Sequence, residues 1–179
     1  AVQTMLVDFT RVEDAAAAVS AVIAAGVVPA ALEMMDARIT QAVEDFVHAG
    51  FPTDAAAVLL VEVDGLPGGV AAEAALVAEV VRAHGARTVR VAADEAERAL
   101  LWKGRKTAFG AVARILPNYY LHDTVVPRSK LVEVLAEIYA IADRHDLLVM
   151  NVFHAGDGNL HPLLVFDARV PGTLDRVHA

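Results

Sequence analysis

At 179 residues the chain can enclose one compact core but is a little short for two typical domains. Hydrophobic residues make up 56% and aromatics 6%, so alanine and valine carry much of the apolar content; 23 acidic against 15 basic residues give a formal charge of −8, which argues against a nucleic-acid partner, since that needs clustered Lys and Arg. No cysteine is present, which rules out a disulfide framework, a thiolate nucleophile and an iron–sulfur cluster held by this chain.

Strand-like and helix-like segments alternate from end to end. Thr4 to Phe9 reads as a strand, Val12 to Ala25 as an alanine-rich helix stopped by Gly26, and Ala30 to Met35 as a short apolar run before a helical pattern from Asp36 to His48. Ala56 to Val63 is the clearest buried strand, ended by the turn-forming Asp64-Gly65 and Pro67-Gly68-Gly69. A helix from Val70 to His84 closes on Gly85, and Thr88 to Val91 is a short strand. Asp94 starts a long helix whose early Glu95 and Glu97 and later Lys103, Arg105 and Lys106 match the helix dipole. Tyr119 to Val126 is a strand ended by Pro127, and Ser129 caps a helix to about Arg144, striped by Leu131, Leu135, Ile138 and Ala142. Leu147 to Phe153 and Leu160 to Phe166 are strands flanking a glycine-rich turn.

Seven strands and five helices with no long linker and no internal sequence repeat predict an α+β domain. Ferredoxin-like β-α-β units would form a mainly antiparallel sheet covered by helices. The rival, a doubly wound nucleotide-binding sheet, lacks its G-x-G-x-x-G turn, and no P-loop is present. The most apolar stretch, roughly Ala15 to Leu32, is broken by Gly26 and Pro29 and does not read as a membrane span. The missing cysteines do not fix a compartment, although they fit a reducing cytoplasm. A start without Met and an end in PGTLDRVHA, the first turn of a helix, lead us to expect a piece of a longer polypeptide.

The chemistry concentrates in Asn151 to Pro162, NVFHAGDGNLHP. With Gly156-Asp157-Gly158-Asn159 as a four-residue turn, Ala155 faces Leu160 and His154 faces His161, with Cβ atoms about 4.5–5.5 Å apart on one face. Two imidazoles so placed can converge on a borderline divalent metal such as zinc or on one substrate group. Gly156 and Gly158 would permit positive φ and a close approach to the backbone. The duller reading is two half-buried histidines beside a tight turn, with Asp157 serving the turn itself.

The segment H-A-G-D-G-N-L-H-P, together with Leu101-Trp102-Lys103-Gly104-Arg105-Lys106 and Asp123-Thr-Val-Val-Pro-Arg128, resembles the C-terminal domain of FAD-linked oxidases over essentially the whole chain. Within that family the likeness is to the flavin subunit of bacterial glycolate oxidase, with D-lactate and D-2-hydroxyglutarate dehydrogenases as relatives. The resemblance implies a substrate or cap domain spanning residues 1–179, an FAD-binding domain upstream, and oxidation of a 2-hydroxy acid to the 2-keto acid. It further implies iron–sulfur oxidase subunits as partners, a homodimer as an option, and a cytoplasmic place with peripheral membrane association through those subunits. On this reading residues 1–179 alone would not turn over.

By the same resemblance, His154 and His161 match the two histidines that hold a divalent metal, commonly zinc, in the hydroxyglutarate-type relatives. The third ligand there is the glutamate of a Glu-His-Gly segment that does not occur in residues 1–179. Asn159 matches the turn asparagine beside flavin and substrate, and Arg105 the arginine that grips the substrate carboxylate, a task for a planar guanidinium. Three polar positions around the dicarboxylate in those relatives read here as Phe109, Leu121 and Leu163. An apolar lining would leave a distal carboxylate unpaired, which points to a monocarboxylate such as glycolate or D-lactate.

Away from the resemblance, Arg105 reads as a surface residue complementing the helix dipole, and Lys103 and Lys106 as solvated charges. Trp102 reads as a packing anchor, Asp123 as a turn or cap group, and Tyr120 with His122 as a strand edge that could border the pocket. His48, His84, His145 and His178 lie near helix ends or the terminus and receive no function. Two rival readings stay open. A non-catalytic ferredoxin-like ligand-binding or dimerisation module would point the two histidines apart or pack them fully. A metal-dependent hydrolase would need a third ligand within the chain.

Overall fold

A computed structural model describes residues 1–179. In chain order the elements are β1 (Val2–Phe9), α1 (Val12–Ala24), β2 (Ala31–Asp36), α2 (Ala37–Val47), β3 (Ala57–Asp64), α3 (Pro67–Ala83), β4 (Ala86–Val91), α4 (Glu95–Lys106), α5 (Ala108–Val112), β5 (Asn118–Leu121), β6 (Thr124–Val125), α6 (Leu131–Arg144), β7 (Leu148–His154), β8 (Asn159–Leu160), β9 (Pro162–Phe166) and α7 (Thr173–His178). The nine strands form one sheet in the order β4-β1-β3-β2-β7-β8-β6, with β9 pairing β7 and β5, and every pairing is antiparallel. The α+β architecture with a mainly antiparallel, helix-covered sheet is as the sequence predicts.

The order β4-β1-β3-β2 is a ferredoxin-like unit in which β3 enters between β1 and β2. The second half repeats the move: β7 follows β5 and β6 through α6, and the returning β8 and β9 enter between them. The chain therefore duplicates a topology without repeating a sequence. The two units join where β2 pairs with β7, through Glu33↔His154, Met34↔Phe153 and Met35↔Val152.

Both faces of the sheet are covered. Met5, Val7, Phe9, Leu59, Val61 and Phe153 pack with α1, α3 and α6 on one face. Leu6, Val58, Leu60, Met35, Val152 and Leu163 pack with α2, α4 and α5 on the other. This two-sided burial is why β3 reads as a continuous apolar run rather than an alternating one. Asp36 caps α2, accepting from the Ile39 N–H at 3.1 Å, and Asp94 caps α4, accepting from the Glu97 N–H at 2.9 Å.

Two expectations require correction. The seven strands are nine, because Tyr119–Val126 divides at His122-Asp123 and Leu160–Phe166 divides at His161. Pro162 has no N–H to give the ladder, so pairing lapses at that level on both strands while the register continues unchanged. Ser129 does not cap α6; it lies within a 3-10 turn over Arg128–Lys130, and Lys130 holds the cap position without a side-chain bond.

Candidate functional site

The hairpin after β7 turns one residue earlier than expected. Residues Ala155–Asp157 form a 3-10 turn, Gly158 takes a left-handed φ of 68°, and its N–H bonds the Ala155 carbonyl at 3.1 Å. His154 therefore pairs with Asn159, not with His161. Of the two turn glycines, only Gly158 has positive φ, and a Cβ there would also collide with the Val126 carbonyl oxygen. The slip from the expected register is two residues. Because side chains alternate with period two, such a slip preserves the face, whereas a slip of one would have reversed it. His154, Asn159 and His161 thus share the face covered by α2, α4 and α5. The histidines are diagonal neighbours, edge-to-face, with ring centroids 5.2 Å apart.

The two imidazoles have different surroundings. The His154 side chain is 46% exposed, and its Nδ1 lies 2.8 Å from Glu33 Oε1 across the β2–β7 join. The His161 side chain is only 13% exposed, with Nε2 3.4 Å from Asp123 Oδ1 and Phe109 6.5 Å away ring to ring. Burial lowers the His161 pKa below its ordinary value, and the neighbouring His154 and Arg105 add to this, outweighing the opposing pull of Asp123. A neutral imidazole results, with a lone pair to offer. Its Nδ1 is buried and has no partner in the chain.

Arg105 is not a surface residue, as its place in a dipole-matched helix would have it; its side chain is 8% exposed. Its Nε and Nη2 reach Glu33 Oε2 at 2.9 and 2.7 Å. Gly104 makes this possible. A Cβ there would sit 2.5 Å from Phe51 and 3.0 Å from Val43, so only glycine lets α4 press onto α2 at this turn. Arg105, Glu33, His154 and His161 form one continuous group from three parts of the chain.

The remaining candidates fall into place around it. Leu121 pairs directly with Leu163, and both share the face of His161 with Phe109. Asn159 is half-buried and its Oδ1 has no partner. Asp123 continues the β6–β8 register to lie opposite His161, so it is more than a turn group. Tyr120 and His122 point to the other face: Tyr120 stacks on Phe166 and bonds His178 at 3.2 Å, and His122 lines an apolar groove against α6. They do not border the site. Trp102 anchors packing through its Nε1–H to Glu62, at 2.7 Å, while Lys103 and Lys106 are exposed. His84 ends α3, where its Nδ1 lies 2.8 Å from the Val80 carbonyl, and His48 ends α2 in a left-handed conformation.

A cleft of about 460 Å³ opens beside Glu33, His154, Arg128, Gly156 and Asp157; Arg105 and His161 do not line it. Of Arg105, His154 and His161, His154 alone presents to this cleft. No set of three or more His, Asp or Glu side chains converges as a metal cage. Two imidazoles with available nitrogens fit part of a divalent-metal ligand set, and the unpartnered acceptor of Asn159 fits a donor-bearing cofactor edge. The self-contained ligand set of a metal hydrolase is not met, and the histidines neither diverge nor pack fully. The site residue that sequence reasoning missed is Glu33. Its signal was a charge inside the apolar run ALEMMD, which burial permits only with a partner.

The chain can now be set beside known proteins. The family "FAD linked oxidases, C-terminal domain" matches residues 1–179. The chain is 49% identical over 174 residues to glycolate oxidase subunit GlcD of Escherichia coli (strain K12), covering 97% of this chain and 35% of that protein. Against glycolate oxidase subunit GlcD of Bacillus subtilis (strain 168) it is 36% identical over 175 residues, covering 98% and 37%. Against the probable mitochondrial D-lactate dehydrogenase of Danio rerio it is 28% identical over 173 residues, covering 96% and 34%. The chain thus spans about a third of the length of the curated relatives it matches. In fold it superposes on p-cresol methylhydroxylase with a TM-score of 0.72 at 12% identity, covering 99% of this chain and 41% of the other. On 4-ethylphenol oxidase from Gulosibacter chungangensis the TM-score is 0.69 at 15% identity, covering 98% and 42%. No helix is long and apolar enough to cross a membrane. With its whole length matched by the family and nearly half of its residues shared with one glycolate oxidase subunit, the chain belongs to the FAD-linked oxidases and is their C-terminal domain.

Proposed function

We propose that residues 1–179 are the single substrate domain of an FAD-dependent 2-hydroxy-acid oxidase that converts glycolate or D-lactate to the 2-keto acid. It would act with an FAD-binding domain preceding it in the same polypeptide. The observation that carries this reading is the group of Arg105, Glu33, His154 and His161, which places a guanidinium and two imidazoles on one face of the sheet. The printed names of the relatives supply the reaction class.

Arg105 binds the substrate carboxylate through its guanidinium edge, and the two imidazoles orient the α-hydroxyl. Asn159 would hold the edge of FAD through its side-chain carbonyl oxygen, and the bound flavin would supply the hydride acceptor. His154 and His161, with a third ligand from outside these residues, would hold a divalent metal such as zinc, whose chemistry there would be to make the hydroxyl more acidic. The hydroxyl proton leaves to a base that is neither of these histidines on this reading. Phe109, Leu121 and Leu163 supply an apolar wall, which suits a short monocarboxylate and opposes a second carboxylate. Iron–sulfur oxidase subunits would receive the electrons, in a cytoplasmic assembly that meets the membrane through those partners, and a homodimer is the alternative association.

The test is turnover of the whole flavoprotein carrying this domain. Glycolate and D-lactate are expected to be oxidised with higher kcat/KM than D-2-hydroxyglutarate. A preference for D-2-hydroxyglutarate would overturn the substrate assignment, and a whole protein without bound flavin would overturn the enzyme reading.

A further inference from the structure

We infer that Glu33 is the positioning residue of this site, fixing in one carboxylate both the tautomer of His154 and the presented edge of Arg105. The inference rests on the activity proposed above and adds to it a residue from the opposite unit of the fold.

A carboxylate accepts hydrogen bonds and donates none. Glu33 Oε1 lies 2.8 Å from His154 Nδ1, so Nδ1 is the donor, and in the neutral ring the lone pair falls on Nε2. A carboxylate behind one ring nitrogen is the arrangement by which proteins orient a histidine whose other nitrogen does the work. The second oxygen acts on Arg105. Oε2 receives both Nε, at 2.9 Å, and Nη2, at 2.7 Å, which is the side edge of the guanidinium. Nη1 makes no hydrogen bond within the chain, so the end edge, formed by Nη1 and the second hydrogen of Nη2, is what a ligand carboxylate can grip bidentately.

Position makes this hold rigid. Glu33 is directly opposite His154 in the β2–β7 ladder, so backbone pairing sets their separation. Its side chain is only 9% exposed, which limits the competition of water for its oxygens. Neither His154 nor Arg105 has another partner in the chain that could substitute for it.

The decisive measurement is the ring tautomer of His154, read from its two ring-nitrogen shifts by NMR in this chain at neutral pH. Wild type is expected to carry its proton on Nδ1. In Glu33→Gln the amide oxygen turns to Arg105 and the amide NH2 faces His154, so the proton is expected to move to Nε2. In the whole flavoprotein the same substitution is expected to lower kcat for glycolate or D-lactate about 10- to 100-fold. A wild-type proton on Nε2, a tautomer unchanged in Glu33→Gln, or an unchanged kcat would each overturn the inference. The wild-type tautomer needs no variant and so does not depend on Glu33→Gln folding. If the tautomer behaves as expected while the wild-type flavoprotein oxidises no 2-hydroxy acid, the proposed activity fails and the hold of Glu33 on His154 stands.

Discussion

Two buried glutamates on the same face of the sheet, Glu62 and Glu33, separate structural from functional polarity. Helix α4 serves both: Arg98 reaches Glu62, and Arg105, two turns further on, reaches Glu33. Glu62 is closed. It accepts from the Thr4 hydroxyl at 2.6 Å, from Arg98 at 2.9 Å through two nitrogens and from Trp102 Nε1 at 2.7 Å, all within the first unit and α4. Glu33 is open. Its two partners each retain an unused nitrogen edge, and one of them, His154, stands half in solvent. A larger cleft of about 620 Å³ lies over Glu62, yet the polar atoms of Glu62, Arg98 and Trp102 in it are already spent on each other, and its lysines, Lys103 and Lys106, are exposed. Partner saturation, rather than cleft size, distinguishes the site.

Substitutions can break this contrast. Arg105→Met removes one of only two partners of Glu33 and strands a buried carboxylate, with an expected loss of about 3–5 kcal/mol in urea unfolding. Arg98→Met should cost less, about 1–2 kcal/mol, because Thr4 and Trp102 still satisfy Glu62. Equal losses at the two positions would abolish the distinction. Between them falls Gly104→Ala, expected to cost about 1–3 kcal/mol by driving a methyl into Phe51 and Val43. That substitution should also reduce substrate affinity of the whole flavoprotein by displacing Arg105. His154→Gln is at the small end for folding, less than about 1 kcal/mol, because the side chain is half-exposed. It should nonetheless lower kcat of the flavoprotein at least tenfold.

Acid titration sharpens the same contrast from the closed side. Burial would raise the Glu62 pKa above its ordinary 4.5, but the bonds from Arg98, Thr4 and Trp102 outweigh it and the net shift is downward. A carboxyl held low in the folded state stabilises it fully above the unfolded value, and that stabilisation is lost as pH falls through the window below 4.5. Unfolding midpoints measured from pH 6 downward should therefore decline more gently in Glu62→Gln than in wild type.

Much of this was legible in the chain. The apolar run of β3, the stripe of α6 and the charge order of α4 announced their elements, because local pattern and burial agree there. The pairing of His154 with His161 on one face was legible for a subtler reason: period-two alternation tolerates an error of two residues in register. The turn itself was misjudged, since Gly158 alone supplies the left-handed step and the bend closes earlier than four polar residues suggest. The division of two strands at one level was hidden because it takes Pro162 and its cross-strand neighbour together. Arg105 was hidden by the dipole argument, which accounts for a terminal arginine without asking what glycine at 104 lets it touch. Glu33 escaped because a strand recognised by its apolar content hides the charge at position 33.

The join between the two units rests on three residue pairs, and Glu33 with His154 is one of them. Both cores also cross it: Phe153 and Leu160 share a cluster with Met5 and Leu59, and Val152 and Leu163 share one with Leu6 and Val58. The carboxylate and the imidazole it faces therefore sit at a seam that cannot open without parting both cores, so the chemistry and the fold should be lost in one step.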